Sequence, residues 1–312
     1  MNAVRSAWST SRLWVVAIVL CAAAVRLAHI EWDANHFFHP DERAVAFAVQ
    51  RLSFQPLRLD PDFFAYGSLP IYVTKIASSV LALFDPWAAS YDGIIITGRR
   101  LSALIGAATV LLLILLGRRL YDSSVGLLAG VLLAACALHL QNSRFMTVDV
   151  TLTFVVLLAL YALVRVATEG RAIQFVLAGV AIGLATATKF SAMPLFLSLG
   201  IAGLHRMRVE RRVLPVAGRG VLAVVAAAFA FAVAEPYGVI RFPRFYHDIV
   251  EQSQMVRNAG VFPFTTQYMG TPKYWYDLTQ LIVWGMAPLL GGVAVWATAM
   301  RVPAAALEQS SF

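Results

Sequence analysis

The chain has 312 residues, 60% hydrophobic and only 13% charged, where a soluble globule carries about 25% charged residues. With a mean hydropathy of +0.72, this excludes an ordinary soluble domain and points to a polytopic membrane protein. The net charge of +8 raises nucleic acid as a partner, but its distribution along the chain argues against one.

The first element, "MNAVRSAWSTSRLWVVAIVLCAAAVRLA", has a basic start, an apolar centre and small residues at 22–24, a pattern shared with signal peptides. Its apolar run reaches His29, and Arg26 follows the small residues, so a retained helix over 13–30 is expected. Next comes "HFFHPDERAVAFAVQRLSF", a short amphipathic piece that opens with Asp41 and Glu42 side by side. "GSLPIYVTKIASSVLALF", 67–84, holds Pro70 and Lys75 and is shorter and more amphipathic than the rest. Apolar segments follow at roughly 101–117, 124–141, 148–166, 172–188, 190–204, 214–234 and 278–300; a crossing helix needs about 20 such residues. Between the last two, "PRFYHDIVEQSQMVRNAG" reads as an amphipathic helix ending at Gly260. Cys21 and Cys136 lie in apolar runs without a CxxC partner, so packing is expected of them, as of His139, rather than a disulfide or a thiolate zinc site. Neither a P-loop nor a GxGxxG after a strand is present.

Whether 67–84 crosses decides the topology of everything after it. If it lies along the surface, the cytoplasmic parts hold Arg5, Arg12, Arg118, Arg119, Arg165, Arg171, Arg206, Arg208, Arg211, Arg212, Arg219 and Arg301 against Asp122, Glu169, Glu210 and Glu308. That is the entire positive excess, and the other side is neutral, as the positive-inside rule demands. If 67–84 crossed, "HRMRVERRVLPVAGR" would face outward. Eight crossings with both termini cytoplasmic are therefore expected, with two outer regions, 31–100 and 235–277, whose amphipathic helices lie either at the lipid interface or as ordinary solvated loop helices. The basic balance becomes a topology signal, with no nucleic acid implied.

The outer side collects the unusual residues. Asp41 and Glu42 open the first loop, "NSRFMTVDVTL" puts Arg144 and Asp149 at a tight outer turn, and "GLATATKFSAMP" puts Lys189 where one helix gives way to the next. The chain has three lysines, Lys75, Lys189 and Lys273, and all fall on this side. Each feature has a structural explanation: helix-end residues that snorkel, or an acidic pair favoured by a helix dipole. Their convergence on one face favours chemistry on a phosphorylated lipid. A carboxylate serves as general base toward a hydroxyl, and cations hold phosphate oxygens as charge develops on them.

The ordered set "HPDE", "FAYGSLPIY", "GRRLSALIGAATVLLLILLGRRLYDSSVGLLAGVLLA", "SRFMTVDVTLTF", "GLATATKFSAMP" and "QYMGTPKYWYDLTQLIVWGMAPLLG" resembles the GT-C superfamily of membrane glycosyltransferases. It looks most like the family 39 and protein O-mannosyltransferase-like branch, relatives of the aminoarabinose transferase, over roughly 1–300. The resemblance implies a single GT-C-type helix bundle over 1–312 in the plasma membrane. It implies inverting transfer of a hexosyl or pentosyl group from a polyprenyl-phosphate carrier to a hydroxyl of a protein, lipid or glycan on the extracytoplasmic face. Carried over by motif, Asp41 is the catalytic base. Glu42 supports it or positions acceptor or metal, and Asp149 shapes the site. Arg144 and Lys189 bind the donor phosphate, and Arg99, Arg100 and Tyr66 line the pocket. No cofactor is required by this reading; a divalent metal, if used, would draw on His39, Asp41 and Glu42, with His36 nearby. The chain departs from relatives in having "YGSLP" where they often carry a Pro-Pro pair. Family members usually continue further, so a short or truncated form is expected. The rival readings are a non-catalytic GT-C subunit, a transporter, which would carry ionisable groups at its midplane, and a polymer ligase with a longer central loop.

Overall fold

The computed structural model describes the backbone of residues 2–309 and the side chains of 12–300. The side chains of Arg5, Arg301 and Glu308, used in the topology argument, lie outside the described residues. In chain order the helices are α1 (Asn2–Leu27), α2 (Pro40–Arg51), α3 (Leu69–Leu81), α4 (Tyr91–Leu120), α5 (Ser123–Ala135), α6 (Ala137–Asn142), α7 (Val148–Glu169), α8 (Ala172–Thr188), α9 (Leu195–Glu210), α10 (Val213–Ala234), α11 (Pro236–Ile240), α12 (Phe242–Arg257), α13 (Trp275–Thr279) and α14 (Pro288–Gln309). A two-residue hairpin ladder pairs Ser53 with Arg58 and Phe54 with Leu57. Among the described residues, α4, α7 and α10 are long and apolar enough to cross a membrane, while α3, α5, α8 and Pro288–Met300 of α14 are shorter apolar helices.

The packing is inside-out by the standards of a soluble protein. On α10, Ala223, Ala227, Ala230 and Ala234 are buried while Val221, Val225, Phe229 and Val233 are exposed. Large apolar side chains outward and small ones inward suit helices solvated by lipid, where close backbone approach replaces hydrophobic burial as the driving force. The partner stripe is Gly179-Val-Ala-Ile-Gly183 on α8. A Cβ on Gly179 would lie 2.0 Å from the Ala223 carbonyl oxygen, and one on Gly183 2.2 Å from that of Ala227.

The two ends of the bundle differ in chemistry. At one end α4, α7, α9 and α10 bring arginines onto two acids: Glu169 pairs with Arg119 at 2.5 Å and Arg165 at 3.0 Å, and Glu210 pairs with Arg206 at 2.6 Å and with Arg219. The other end gathers α2, α3, the start of α7, Lys189 after α8 and Glu235 after α10. Helix α3 lies beside the N-terminal part of α4, where Leu69, Pro70 and Val73 share a cavity with Gly98, Leu101 and Ile105.

Two expected spans are broken. The segment 124–141 divides at Cys136, whose ψ of 117° is extended. The carbonyls of Leu133 and Ala134 accept Arg26 guanidinium N–H groups at 3.4 Å each, and His139 Nδ1 and Ser143 Oγ lie 3.0 and 3.3 Å from the same side chain. Arg26 is buried and supplies donors where the helix ladder stops. The segment 278–300 is a π-helical turn, Gln280–Gly285, followed by α14 from Pro288; Pro288 lacks the N–H that a continuous helix would use. Cys21, expected to be packed, is instead exposed on α1.

Helix α2 is set by its first turn. His39 caps it, its Nδ1 accepting the Asp41 N–H at 3.3 Å, Pro40 fits the first helical position, and Asp41 and Glu42 sit where the helix dipole favours anions. Glu42 then turns inward. Arg99 donates from Nε to Glu42 Oε1 (2.8 Å), from Nη2 to Glu42 Oε2 and Asp33 Oδ2 (2.7 Å each), and from Nη1 to Asp33 Oδ1 (2.9 Å) and the Ile30 carbonyl (3.0 Å). All five guanidinium N–H groups are used, and none of the three side chains has exposed surface. The Met146 N–H completes Glu42 at 2.8 Å. These bonds hold Asp33 below the ordinary carboxylate range, the hydrogen bond from Arg99 being the largest cause.

A second clamp holds 66–68. Gly67 N–H donates to the Thr188 carbonyl at 3.0 Å. Ser68 gives both its N–H and its hydroxyl, the latter at 2.7 Å, to Glu235. Glu235 is fully buried, and burial pushes its carboxyl up to about 7. Arg241, between α11 and α12, ties that segment to the loop before α3 through Asp60 (2.6 Å) and Asp62 (2.8 Å).

Three outcomes are expected from thermal unfolding in detergent. Gly179→Val destabilises by about 1–3 kcal/mol through overpacking, while Gly203→Ala, with nothing within 4 Å of the new Cβ, changes stability by less than about 0.5 kcal/mol. Arg99→Gln leaves two buried carboxylates unpaired and destabilises by about 3–5 kcal/mol; Arg100→Gln, half exposed and 4.0 Å from Glu31, does so by less than about 1 kcal/mol. Because the folded state raises the proton affinity of Glu235, its contribution is full below the ordinary carboxylate range. It is lost as pH rises through about 7, by at most about 3 kcal/mol. Glu235→Gln should flatten that slope in a series of unfolding temperatures against pH.

Candidate active site

Asp41 precedes Glu42 on α2, and successive helix residues differ by about 100° around the axis. With Glu42 locked inward by Arg99, Asp41 is directed to the half-exposed rim. Tyr66, carried on the segment that Glu235 clamps, lies against it. Burial first, then the charge of Asp41 and a hydrogen bond to it, raise the Tyr66 phenol above its ordinary value, and Asp149 adds to the effect. Lys189 Nζ sits 3.0 Å from Asp149 Oδ1 and 5.8 Å from the centre of the Tyr66 ring. The structure thus brings Asp41, Tyr66, Asp149 and Lys189 into one patch. Four elements supply it: α2, the segment before α3, the first turn of α7, and the extended residue that ends α8.

The exposure of these groups divides reactive candidates from supports. Lys189 and Asp149 keep 35% and 44% of their side-chain surface open, so an anionic group has access to the ammonium. Tyr66 is half-buried and donates a phenol beside a carboxylate. A carboxylate, a phenol and a cation therefore face one space, an arrangement chemically able to take a proton from a hydroxyl and to receive a phosphate.

The remaining expected residues are placed elsewhere. Arg99, expected to line the pocket, is wholly buried with every N–H engaged; it holds the loop and faces no ligand. Glu42 is likewise removed from solvent and acts on the site only by fixing α2. Arg100 points to the surface near Glu31. Arg144 turns from Lys189 toward α1, donating to the Val25 carbonyl at 2.7 Å, and its Nε is buried without a partner among the described residues. His39, Asp41 and Glu42 do not form a metal site: His39 Nδ1 is used in capping and Glu42 in the Arg99 cluster. Among the described residues, the group whose ligand atoms converge is His247, Asp248 and Glu251 on α12, with Arg244 3.2 Å from Asp248.

Two supports, Asp33 and Glu235, were absent from the expected set. Their signals in the sequence are slight: Glu235 is a lone acid just beyond an apolar helix, in "FAVAEPYG", and Asp33 follows Glu31 by two residues in "HIEWDAN". Lone acids at such junctions are candidates for burial against a partner.

A family model described as dolichyl-phosphate-mannose-protein mannosyltransferase matches residues 94–237, from α4 to α11. Among curated proteins the chain has no match. Its fold is similar to that of the Saccharomyces cerevisiae protein O-mannosyltransferase Pmt1-Pmt2 complex bound to the sugar donor, with a TM-score of 0.60 at 18% identity over 76% of this chain and 34% of that one. It is also similar to the Archaeoglobus fulgidus oligosaccharyltransferase in complex with Zn and sulfate, with a TM-score of 0.54 at 17% identity over 92% of this chain and 43% of that one. The chain thus spans well under half the length of either structure. The chain thus has the fold of these membrane glycosyltransferases over most of its length, and through its central helices, 94–237, it is similar to the dolichyl-phosphate-mannose-protein mannosyltransferase family.

Proposed function

We propose that the protein is an inverting glycosyltransferase that moves a sugar from a polyprenyl-phosphate carrier to a hydroxyl acceptor at the extracytoplasmic face of the plasma membrane. The observation that carries this reading is the patch of Asp41, Tyr66, Asp149 and Lys189 at the end of the bundle opposite the arginines. The positive-inside bias assigns the arginine end to the cytoplasm, which puts the patch outside and both termini inside. In this reading residues 1–312 act as one transmembrane module.

The step is a single displacement. Asp41 takes the proton of the acceptor hydroxyl as its oxygen attacks the anomeric carbon, and the bond from that carbon to the carrier phosphate breaks. The electron pair leaves on the phosphate, where the Lys189 ammonium meets the added charge. Asp149 orients Lys189, and the Tyr66 phenol steadies Asp41. Phosphate is a good leaving group, so no protonated acid is needed on the far side. Glu42, Arg99 and Asp33 are positioning residues, because none reaches solvent. The similarity of the central helices to the dolichyl-phosphate-mannose-protein mannosyltransferase family and of the fold to the Pmt1-Pmt2 complex bound to the sugar donor supports the donor and acceptor classes of this reading.

The test is transfer from radiolabelled polyprenyl-phosphate sugars in membranes containing the full chain. Asp41→Asn should lower transfer by about 10²–10⁴-fold at equal protein level and unchanged unfolding temperature. Lys189→Gln should lower it less, with a raised KM for the donor. Retention of transfer by Asp41→Asn overturns the base assignment. Absence of transfer by the wild type across a panel of sugars favours a non-catalytic GT-C subunit.

A further inference from the structure

At the arginine end, between α1, α4 and α7, the surface opens into a pocket of about 510 Å³ lined by Arg12, Leu115, Arg118, Arg119, Tyr161 and Thr168. Four of the described arginines of this end have acidic partners: Glu169 takes Arg119 and Arg165, and Glu210 takes Arg206 and Arg219. Of the other arginines, Arg171, Arg208, Arg211 and Arg212 lie outside this pocket, and Arg12 and Arg118 line it. Among the described residues neither has a carboxylate within 4.0 Å, yet both line the same pocket, and no acid lines it with them.

The dipole of α4 explains part of this, since Arg118 and Arg119 occupy its last turn, where cations are favoured. It does not explain Arg12, which comes from α1 and adds a second uncompensated guanidinium to the pocket. Like charges brought together this way repel unless an anion lies between them. The depth of the pocket identifies the anion. Leu115 lies one turn along α4 from Arg119, and Tyr161 two turns along α7 from Thr168, both toward the membrane core. The lining therefore runs from guanidinium through phenol to leucine, the polarity gradient from headgroup to acyl chain, with a tyrosine at the level that tyrosines favour.

We propose that this pocket binds the phosphate headgroup of an anionic phospholipid. Arg12 and Arg118 hold the phosphate oxygens, and the glycerol and first methylenes rest on Tyr161 and Leu115. Arg119 stays with Glu169 (2.5 Å) and the Thr168 hydroxyl (3.0 Å) and forms one wall. Basic pockets between membrane helices are a recurrent form of anionic-lipid recognition. This inference depends on neither the sugar-transfer reading nor the active-site assignments.

The experiment is native mass spectrometry of the full chain, delipidated in detergent and then titrated with phosphatidylglycerol or phosphatidylcholine of the same acyl chains. The wild type should retain one phosphatidylglycerol about tenfold more strongly than phosphatidylcholine. Arg12→Gln/Arg118→Gln should abolish that preference, and Arg12→Lys/Arg118→Lys should keep most of it. Arg211→Gln/Arg212→Gln removes two exposed arginines of the same end that do not line the pocket, and should leave the preference intact. Equal retention of both lipids by the wild type overturns the proposal without reference to any variant. So does an equal loss in Arg211→Gln/Arg212→Gln, which would reduce the effect to bulk charge. Displacement of the lipid by equimolar inorganic phosphate would reassign the pocket to a free anion.

Discussion

The architecture of the acidic end depends on one guanidinium. Arg99 is buried in α4, and its five N–H groups meet two carboxylates and a carbonyl. Two acids to one base leave the cluster a net negative charge, and the Met146 N–H and the start of α2 supply the compensating dipoles. Such a cluster contributes little net stability compared with a well-packed apolar core, but breaking it leaves a buried charge unanswered. Its structural effect is therefore specificity. It permits one placement of the loop between α1 and α2, one rotation of α2, and one position of the turn before α7.

That placement accounts for the adjacent acids of "HPDE". They are neighbours in sequence but not in environment, because one is turned into Arg99 and the other, about 100° around the helix, is turned to the rim. A mobile loop would leave Asp41 at many distances from Lys189. The Glu42 anchor and the Glu235 clamp on Ser68 bring the two sides of the patch, α2 and Tyr66, from opposite directions. Both clamps are buried and both end on backbone groups as well as side chains, so the patch rests on rigid elements although most of its members lie at helix ends.

The sequence disclosed the parts of this arrangement that depend on single segments. Apolar length was enough to find α4, α7 and α10, and the amphipathic patterns found α2, α3 and α12 to within a few residues. The abrupt change at Lys189 was legible because no polar loop separates the two apolar runs. Pairwise facts were not legible. Nothing in "GRRLSA" distinguishes Arg99 from Arg100, since burial against Asp33 and Glu42 is a property of three distant segments. The break at Cys136 was hidden for the same reason: "LAACALHL" is a good apolar run, and the donors that let it stop come from Arg26 on another helix. Arg144 and Lys189 looked equivalent as cations near the outer turn, and only the packing of α1 drew one of them away.

The asymmetry between the two ends extends this logic to the membrane itself. At the arginine end two of the four pairs, Arg165–Glu169 and Arg206–Glu210, lie one turn apart on a single helix. Arg219–Glu210 spans the short connection from α9 to α10, Arg119–Glu169 joins α4 to α7, and Arg12 and Arg118 face a pocket graded from polar to apolar. At the acidic end, charges are paired across long sequence separations, Arg99 with Asp33 and Glu42, Lys189 with Asp149, and Arg241 with Asp60 and Asp62. The one-turn pairs form with their helices and need no tertiary structure. Long-range pairs exist only once the helices have assembled. The acidic patch is therefore complete only in the folded bundle, and its geometry is coupled to the assembly of the helices that carry it.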